Sequence, residues 1–226
     1  MAILKYLQFR AEVVGRYGFV LVSLVVALIA YPLCVNFFTG RLLLHLWLVV
    51  TLTQLIVSLS VDRTYRVRSI CLGSASMLLA ILSFVADLFE FEALIFFKLL
   101  LPLSVVFLFF CAWQIVCSIF KEQQVTVDVL CGSVLAYLLI GISWGEVFCC
   151  IELFAPNSFD FGAELELSER ARALFYFSFV TLTTLGYGDI LPVTGLAQTL
   201  SYLESVVGVM YPAILVAKLV SNFRIS

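Results

Sequence analysis

The strongest constraint on this chain is a series of long apolar segments. Residues 17–38 contain no charged residue and are long enough to cross the ~30 Å hydrocarbon core of a bilayer as a helix. Five further segments carry at most two charged residues each: 42–61, 69–88, 94–120, 129–152 and 194–222. Hydrophobic residues make up 63% of the 226 positions, more apolar surface than a soluble domain can bury. The sequence therefore predicts an all-α membrane protein with six transmembrane helices.

One further apolar segment, 170–183, is too short to cross a membrane. It follows a polar, acidic loop at 153–169 and leads into a glycine-containing loop. Irregular backbone is tolerated at membrane depth only where protein surrounds it or where it lines a water-filled cavity. We therefore predict a re-entrant pore helix over 170–183, with the negative end of its dipole directed at a cation path.

The loop after this segment has glycine at alternate positions. In order it contains Thr184, Leu185, Gly186, Tyr187 and Gly188. Glycine takes positive φ angles that cost other residues about 1–2 kcal/mol, so this backbone can alternate in hand and aim successive carbonyl oxygens to one side. Four such loops around an axis would stack carbonyl rings that replace the water shell of a dehydrated cation. The Thr184 hydroxyl would add to the innermost ring.

With its flanking residues, this loop resembles the selectivity filter of potassium channels. The resemblance covers about 129–222 and implies a two-helix pore module that conducts K+ passively and selectively. Because no nucleophile–base pair or metal cluster appears in the sequence, we expect no enzymatic activity. It implies K+ sites at Thr184, Leu185, Gly186 and Tyr187. Leu185 stands where Val is commoner, and its side chain is expected to point away from the pore. Because each chain carries one filter loop, the resemblance implies a homotetrameric pore.

Three residues are expected to support the filter: Asp189, Tyr176 and Phe177. Tyr176 stands where relatives have an aromatic donor and is expected to bond Asp189. Phe177 stands where many relatives have a tryptophan that braces the filter tyrosine, and phenylalanine has no donor. We hypothesise that the filter therefore enters a non-conducting form more readily. Glu152 is expected to act as a cap near the filter mouth.

The sixth segment contains the candidate gate. Gly208 lies 19 residues after the filter aspartate, the offset of the hinge glycine in simple potassium channels. Pro212 is expected to kink the helix. Val216 and Val220 would then form a hydrophobic constriction of the pore. The alternative is that these valines face lipid or neighbouring helices, because a kink at Pro212 would rotate everything below it.

Two carboxylates, Glu146 and Glu204, fall inside predicted spans. Such residues are costly in a membrane and usually face protein or water. One interpretation is a proton-sensitive pair or a charge that attracts cations to the cavity. The other is that each side chain bonds a neighbouring helix behind the filter, or that Glu146 lies close enough to the outer surface to be solvated.

The chain divides into three regions by its patterns. Residues 1–16 have apolar positions at helical spacing and predict an interfacial helix. Residues 17–120 form a four-helix module that resembles a voltage-sensor scaffold in helix count only, and 121–226 form the pore domain.

A sensor needs several Arg or Lys at every third position of its fourth helix, whereas 94–120 contains Lys98 alone. One charge moved through 100 mV yields about 2.3 kcal/mol, so we expect little or no voltage dependence.

The distribution of basic residues predicts the orientation. With the N-terminus inside, nine of the 13 Lys and Arg residues fall on the inner side, three of them in a basic loop at 62–68. We therefore expect a multi-pass membrane protein with both termini cytoplasmic. The compact loops and the absence of an evident signal peptide favour a bacterial plasma membrane. Its partners would be its own copies and membrane lipids. The net charge of −2 argues against nucleic-acid binding, and neither a small-molecule substrate nor a cofactor other than the permeant K+ is evident.

Three alternatives to a selective potassium channel remain open from the sequence. A loosened filter would give a weakly selective cation channel. A chain that keeps the pore fold without conducting would be a channel subunit or a membrane sensor. A membrane enzyme or transporter would need polar constellations inside the first four spans, which offer almost none. Lipid, stretch, pH and constitutive opening all stay possible as gating modes.

Overall fold

The computed structural model describes residues 15–34, 38–59, 63–88 and 93–223. Its helices are α1 (Arg16–Cys34), α2 (Phe38–Leu59), α3 (Arg63–Leu88), α4 (Ala93–Lys121), α5 (Val127–Phe154), α6 (Leu167–Leu182) and α7 (Gly195–Phe223). Strands β1 (Phe159–Asp160) and β2 (Leu191–Pro192) form a short antiparallel pair. The interfacial helix predicted over 1–16 lies outside the described residues, except for the last two.

The helical membrane fold class is confirmed. Helices α3, α4, α5 and α7 contain stretches long and apolar enough to cross a membrane, and α1 and α2 contain shorter apolar stretches. At 16 residues, α6 is about 24 Å long, which is too short for the ~30 Å core. Six complete spans and the re-entrant path of α6 therefore stay predictions.

The predicted basic loop at 62–68 is wrong over the residues that the structure describes. Helix α3 begins at Arg63, so Arg63, Arg66 and Arg68 lie exposed on its first turns. No glycine or proline occurs between Arg63 and Arg68 to end a helix, and arginine is a good helix former. The change from apolar to charged residues marks where the helix leaves the apolar layer, not where the helix starts.

Successive helices pack against each other, and α1 also packs on α5. A contiguous core runs through α1, α2, α4 and α5 and includes the fully buried Leu52, Ile56, Phe107, Leu135 and Leu139. The Asp128 carboxylate in the first turn of α5 accepts hydrogen bonds from the amides of Tyr17 and Gly18, at 3.0 and 3.2 Å. Asp128 thereby caps the start of α1 and joins the first module to the pore half.

Helices α5 and α7 differ sharply in burial. In the central apolar stretch of α5, 61% of the residues are buried within the chain, against 11% in α7. An apolar helix that its own chain leaves uncovered needs lipid or another subunit against it. The surface available for assembly therefore lies on the same helix as the predicted gate.

Candidate functional site

The loop at 184–188 has an alternating backbone. Gly186 and Gly188 have the positive φ angles that the sequence indicates, +59° and +77°. Thr184 also has a positive φ of +59°, which could not be predicted from a threonine at this position. A β-branched residue adopts this conformation only at a cost, so its surroundings must hold it there. The three positive φ angles occur at every second residue, as a loop that aims successive carbonyl oxygens to one side requires.

The start of the loop is anchored to the last turn of α6. The amides of Leu185 and Gly186 both donate to Val180 O, at 2.9 and 3.3 Å, and the Thr184 amide donates to Thr181 O at 3.0 Å. The neighbouring helices supply two further bonds. Tyr137 of α5 donates its hydroxyl to Leu182 O at 3.3 Å, and Ser205 of α7 donates to Thr181 O at 3.4 Å. The carbonyls at the end of α6, which a helix leaves unpaired, are therefore used to position the loop.

Two glycines of α5 allow α6 to lie very close. A Cβ on Gly141 would be 2.7 Å from Phe179 Cε1, and one on Gly145 would be 2.5 Å from Phe175 Cδ1. The spacing of four residues between these glycines is the small-residue pattern that permits close helix packing in membranes. This contact was not predicted, although the spacing of Gly141 and Gly145 in the sequence indicates it.

The far end of the loop is tied to the segment between α5 and α6, which we call the outer segment after its predicted side of the membrane. Strand β2, just after the loop, pairs with β1 so that Phe159 is opposite Pro192. The Val193 amide donates to Ser158 O at 2.8 Å. Ile190 is buried in the apolar cluster beneath this pair. The loop is consequently held at both ends by elements of its own chain.

The carboxylate of Glu152 organises the outer segment. It accepts bonds from the amides of Asn157, Ser158 and Phe159 at 3.0–3.3 Å. Arg170, on the first turns of α6, donates to the same carboxylate at 2.9 Å. Glu152 thus caps the turn after α5 and fixes the start of α6, and its place near the filter mouth stays a prediction.

Tyr176 and Phe177 point into different surroundings. The Tyr176 hydroxyl donates a hydrogen bond to the Asp189 carboxylate, which raises the pKa of that phenol, and the side chain is otherwise exposed. Phe177 is buried against Phe148 and Phe159, with ring centroids 5.2–5.5 Å apart and edge-to-face geometry. The expected Tyr176–Asp189 contact is present, and Phe177 occupies an apolar site that links α6, α5 and β1.

The gate candidates lie along α7, which is helical throughout. A Cβ on Gly208 would be 1.9 Å from Leu182 O, so this position lets α7 touch the end of α6. Pro212 lies four residues later, and its missing amide leaves Gly208 O without the usual helical partner. Pro212, Val216 and Val220 are exposed on the single subunit, as is most of α7. Their place in a gate stays a prediction.

Glu146 and Glu204 are both buried, and each is paired with its own serine. Glu146 Oε2 lies 2.6 Å from Ser104 Oγ on α4. Glu204 Oε1 lies 2.5 Å from Ser178 Oγ on α6, and the same hydroxyl lies 2.7 Å from Gly141 O on α5. Each carboxyl group therefore joins its helix to a neighbouring helix.

Comparisons with known proteins bear on this half of the chain. The family model described as "Ion channel" matches residues 127–224. The chain is 31% identical over 93 residues to the A-type voltage-gated potassium channel KCND3 of Rattus norvegicus, and equally to the proteins of that name from Oryctolagus cuniculus and Homo sapiens. The match covers 41% of this chain and 14% of each relative. No solved structure matches the chain.

Proposed function

We propose that this chain is one subunit of a homotetrameric channel that conducts K+ passively, because residues 127–224 match the ion channel family model and their loop resembles the filter of potassium channels. The permeant ion would bind at Thr184, Leu185, Gly186 and Tyr187. The observation that carries the proposal is the positive φ at Thr184, Gly186 and Gly188 in a loop tied down at both ends. Such a loop is preorganised to present carbonyl oxygens without having to fold around each ion.

Two features of the single subunit support the tetramer. All residues from Thr183 to Asp189 are exposed, and so is most of α7. One filter loop per chain supplies one quarter of each carbonyl ring, so four copies around an axis complete it. The exposed faces of the loop and of α7 would then line the axis or contact neighbouring copies.

The experiment that tests the function is a reversal potential in liposomes that hold the purified protein, with K+ on one side and Na+ on the other. A reversal near the potassium equilibrium potential supports selective conduction. A clear current that reverses near zero favours the weakly selective cation channel. An absence of current in assembled protein favours the non-conducting subunit or sensor.

A matched pair of glycine variants shows whether the current passes through the proposed filter. Gly186→Ala places a side chain at φ +59° and should abolish or strongly reduce the current. Gly195→Ala makes the same substitution at the start of α7, where a Cβ meets nothing within 4 Å and φ is not positive. Equal currents in the two variants would contradict the assignment of the filter.

We also propose that voltage has little influence on this channel. Helix α4 contains two cations. Lys98 lies near its start, inside the predicted fourth span, and Lys121 is its last residue. One charge supplies about 2.3 kcal/mol per 100 mV, which is too little for steep gating. The relatives named above are voltage-gated, but the match to them covers 93 residues. A conductance–voltage curve as steep as that of a channel with several sensor arginines would contradict this proposal.

The proposed setting is a membrane that the chain crosses several times with both termini inside. This orientation places Arg63, Arg66 and Arg68, at the start of α3, on the inner side. It also admits the filter loop from outside, with Glu152 and Arg170 at the outer mouth. Protease accessibility of tags at the two termini in right-side-out vesicles would test the orientation.

A further inference from the structure

Ser178 Oγ makes two short contacts with oxygen atoms, and two full hydrogen bonds there would use one more hydrogen than serine has. Ser178 Oγ lies 2.7 Å from Gly141 O and 2.5 Å from Glu204 Oε1. Both distances are those of O–H···O hydrogen bonds. Serine has one hydroxyl hydrogen, and a backbone carbonyl has none. A protonated Glu204 carboxyl group would supply the second hydrogen, because it is the one partner of the three oxygens, other than the serine, that can carry one.

We propose that Glu204 is a proton-binding site, occupied in this conformation, whose neutral carboxylic acid locks three helices of the pore domain together. Glu204 of α7 donates its proton to Ser178 Oγ on α6. Ser178 in turn donates to Gly141 O on α5. The chain of two bonds fixes the pore helix between its neighbours, one turn and a half before the filter loop begins.

The environment of Glu204 agrees with a neutral acid. The residue is fully buried, and its Oε2 atom has no hydrogen-bond partner. Within the described residues, no lysine or arginine pairs with it. A carboxylate here would be a buried charge with one oxygen unsatisfied, whereas a neutral acid leaves only a carbonyl oxygen unpaired, which costs far less.

The groups around Glu204 do not supply a compensating charge. From α6 it faces Ser178, which does not titrate in the accessible range. From α5 it faces Tyr137, the titratable side chain that is electrostatically coupled to it and whose hydroxyl donates to Leu182 O. A tyrosine that loses its proton becomes an anion as well, so neither neighbour can supply a positive charge to an ionised Glu204.

Loss of the proton would break the lock at a defined bond. When the Glu204 proton leaves to solvent, Oε1 becomes an acceptor, and the single Ser178 hydrogen is drawn to it. Gly141 O then loses its donor, and the contact between α5 and α6 weakens. Because Gly141 also admits Phe179 at close range, α6 would lose part of its lateral support. High pH should therefore loosen the pore helix.

Ser104 shows a second hydroxyl that contacts both a backbone carbonyl and a buried carboxyl group. Its Oγ lies 2.9 Å from Leu101 O and 2.6 Å from Glu146 Oε2, so this hydroxyl also faces two oxygens with one hydrogen. Glu152 is the contrasting case, because three amides and Arg170 donate to it. The chain thus offers a carboxyl group that should be neutral and one that should be ionised.

Infrared spectroscopy of the reconstituted full chain tests the proposal without any need for ion flow. The difference spectrum of the native chain minus Glu204→Gln at neutral pH should show the carbonyl stretch of a protonated carboxylic acid, shifted in D2O. The matched difference with Glu152→Gln should show carboxylate bands instead. Carboxylate bands in the Glu204 difference would overturn the proposal.

A second variant covers the case in which Glu204→Gln does not assemble. Ser178→Ala removes the acceptor of the Glu204 proton, so the native-minus-variant spectrum should show an acid band that moves in frequency, whereas a band of Glu146, whose partner is Ser104, should cancel. An unmoved band would mean that Glu204 donates elsewhere, and the lock would be wrong.

The consequence for gating rests on the proposed function and is measured separately. Glutamine at 204 keeps a donor for Ser178 Oγ and cannot ionise, so current at neutral pH should be unchanged in Glu204→Gln. The alkaline loss of current expected in the native chain should be absent in this variant. An equal alkaline loss of current in the native chain and in Glu204→Gln would overturn the role of Glu204 in the pH response. An absence of all current would contradict the proposed function and leave the infrared result standing.

Discussion

The carboxylate of Glu152 and the guanidinium of Arg170 form an ion pair of 2.9 Å that joins the end of α5 to the start of α6. Glu152 is 4% exposed and Arg170 is 29% exposed, so the pair is partly shielded from water. The two residues begin and end the outer segment that contains β1. The pair consequently constrains the path of this segment. Because β1 in the segment pairs with β2, the pair also helps to position the end of the filter loop.

Arg170→Gln should destabilise the pore domain. It removes a charge-assisted hydrogen bond from a buried carboxylate, and such bonds contribute about 1.5–3 kcal/mol. The three amides that also donate to Glu152 should keep the loss toward the lower end of that range. The measurement is thermal unfolding of the purified protein in detergent.

Arg172→Gln is the matched control for this prediction. It removes a neighbouring arginine that is exposed, so its effect should be small. If both variants melt at the same temperature, the ion pair with Glu152 contributes nothing. A double variant with Glu152→Gln should be less destabilised than the sum of the two single variants, because the two residues interact.

Tyr176→Phe should speed the entry of the filter into a non-conducting state. The substitution keeps the ring and removes only the hydroxyl that donates to Asp189. Tyr202→Phe removes a hydroxyl from an exposed tyrosine of α7 and serves as the control. The decay of current during sustained activation is the quantity to compare. Identical decay in the two variants would mean that the bond to Asp189 does not support the filter.

The same bond predicts a dependence on pH at the outer mouth. Donation to Asp189 favours the protonated phenol, so the pKa of Tyr176 is raised above its ordinary value of 10.0. The stabilisation is then fully present below that value and is lost as pH rises through the raised pKa. External pH between about 6 and 9, where a tyrosine keeps its proton, should leave this part of the filter unchanged. A change that is present in the native chain and absent from Tyr176→Phe over that range would contradict the prediction.

Gly208→Ala distinguishes a packing role for this glycine from a hinge role. The added Cβ would lie 1.9 Å from Leu182 O, which is backbone and cannot rotate away. We therefore expect a loss of about 1–3 kcal/mol of stability, the usual range for overpacking. Gly195→Ala, with open space around its Cβ, should be neutral. Normal thermal stability of Gly208→Ala together with altered opening would favour the hinge and contradict the packing role.

The sequence predicted the helices well because apolar runs with polar ends define them physically. The fourth predicted span, 94–120, corresponds to Ala93–Lys121, and the pore helix predicted over 170–183 corresponds to Leu167–Leu182. The predicted start of α3 is wrong, because charged residues alone do not end a helix. Hydropathy locates the apolar layer, and helices extend beyond it.

The contacts that hold the filter loop were harder to predict. Glu152 and Arg170 are 18 residues apart across an irregular segment, and nothing in the residue types indicates that the segment folds back to join them. The positive φ of Thr184 was missed because threonine does not favour it and only the anchoring bonds impose it. The Gly141 and Gly145 contact was readable in principle, since small residues at this spacing are a membrane packing signal.

The last prediction concerns the hypothesis that Phe177 leaves the filter without a donor. Phe177→Trp alone is a poor test, because the side chain is buried between Phe148 and Phe159 and the larger ring would be overpacked by about 1–3 kcal/mol. Phe159→Leu removes ring volume from the same cluster and should restore room. We expect Phe177→Trp with Phe159→Leu to be more stable than Phe177→Trp alone, and to slow the decay of current relative to Phe159→Leu. If the double variant is stable but its current decays like that of Phe159→Leu, a missing donor at 177 does not limit the filter.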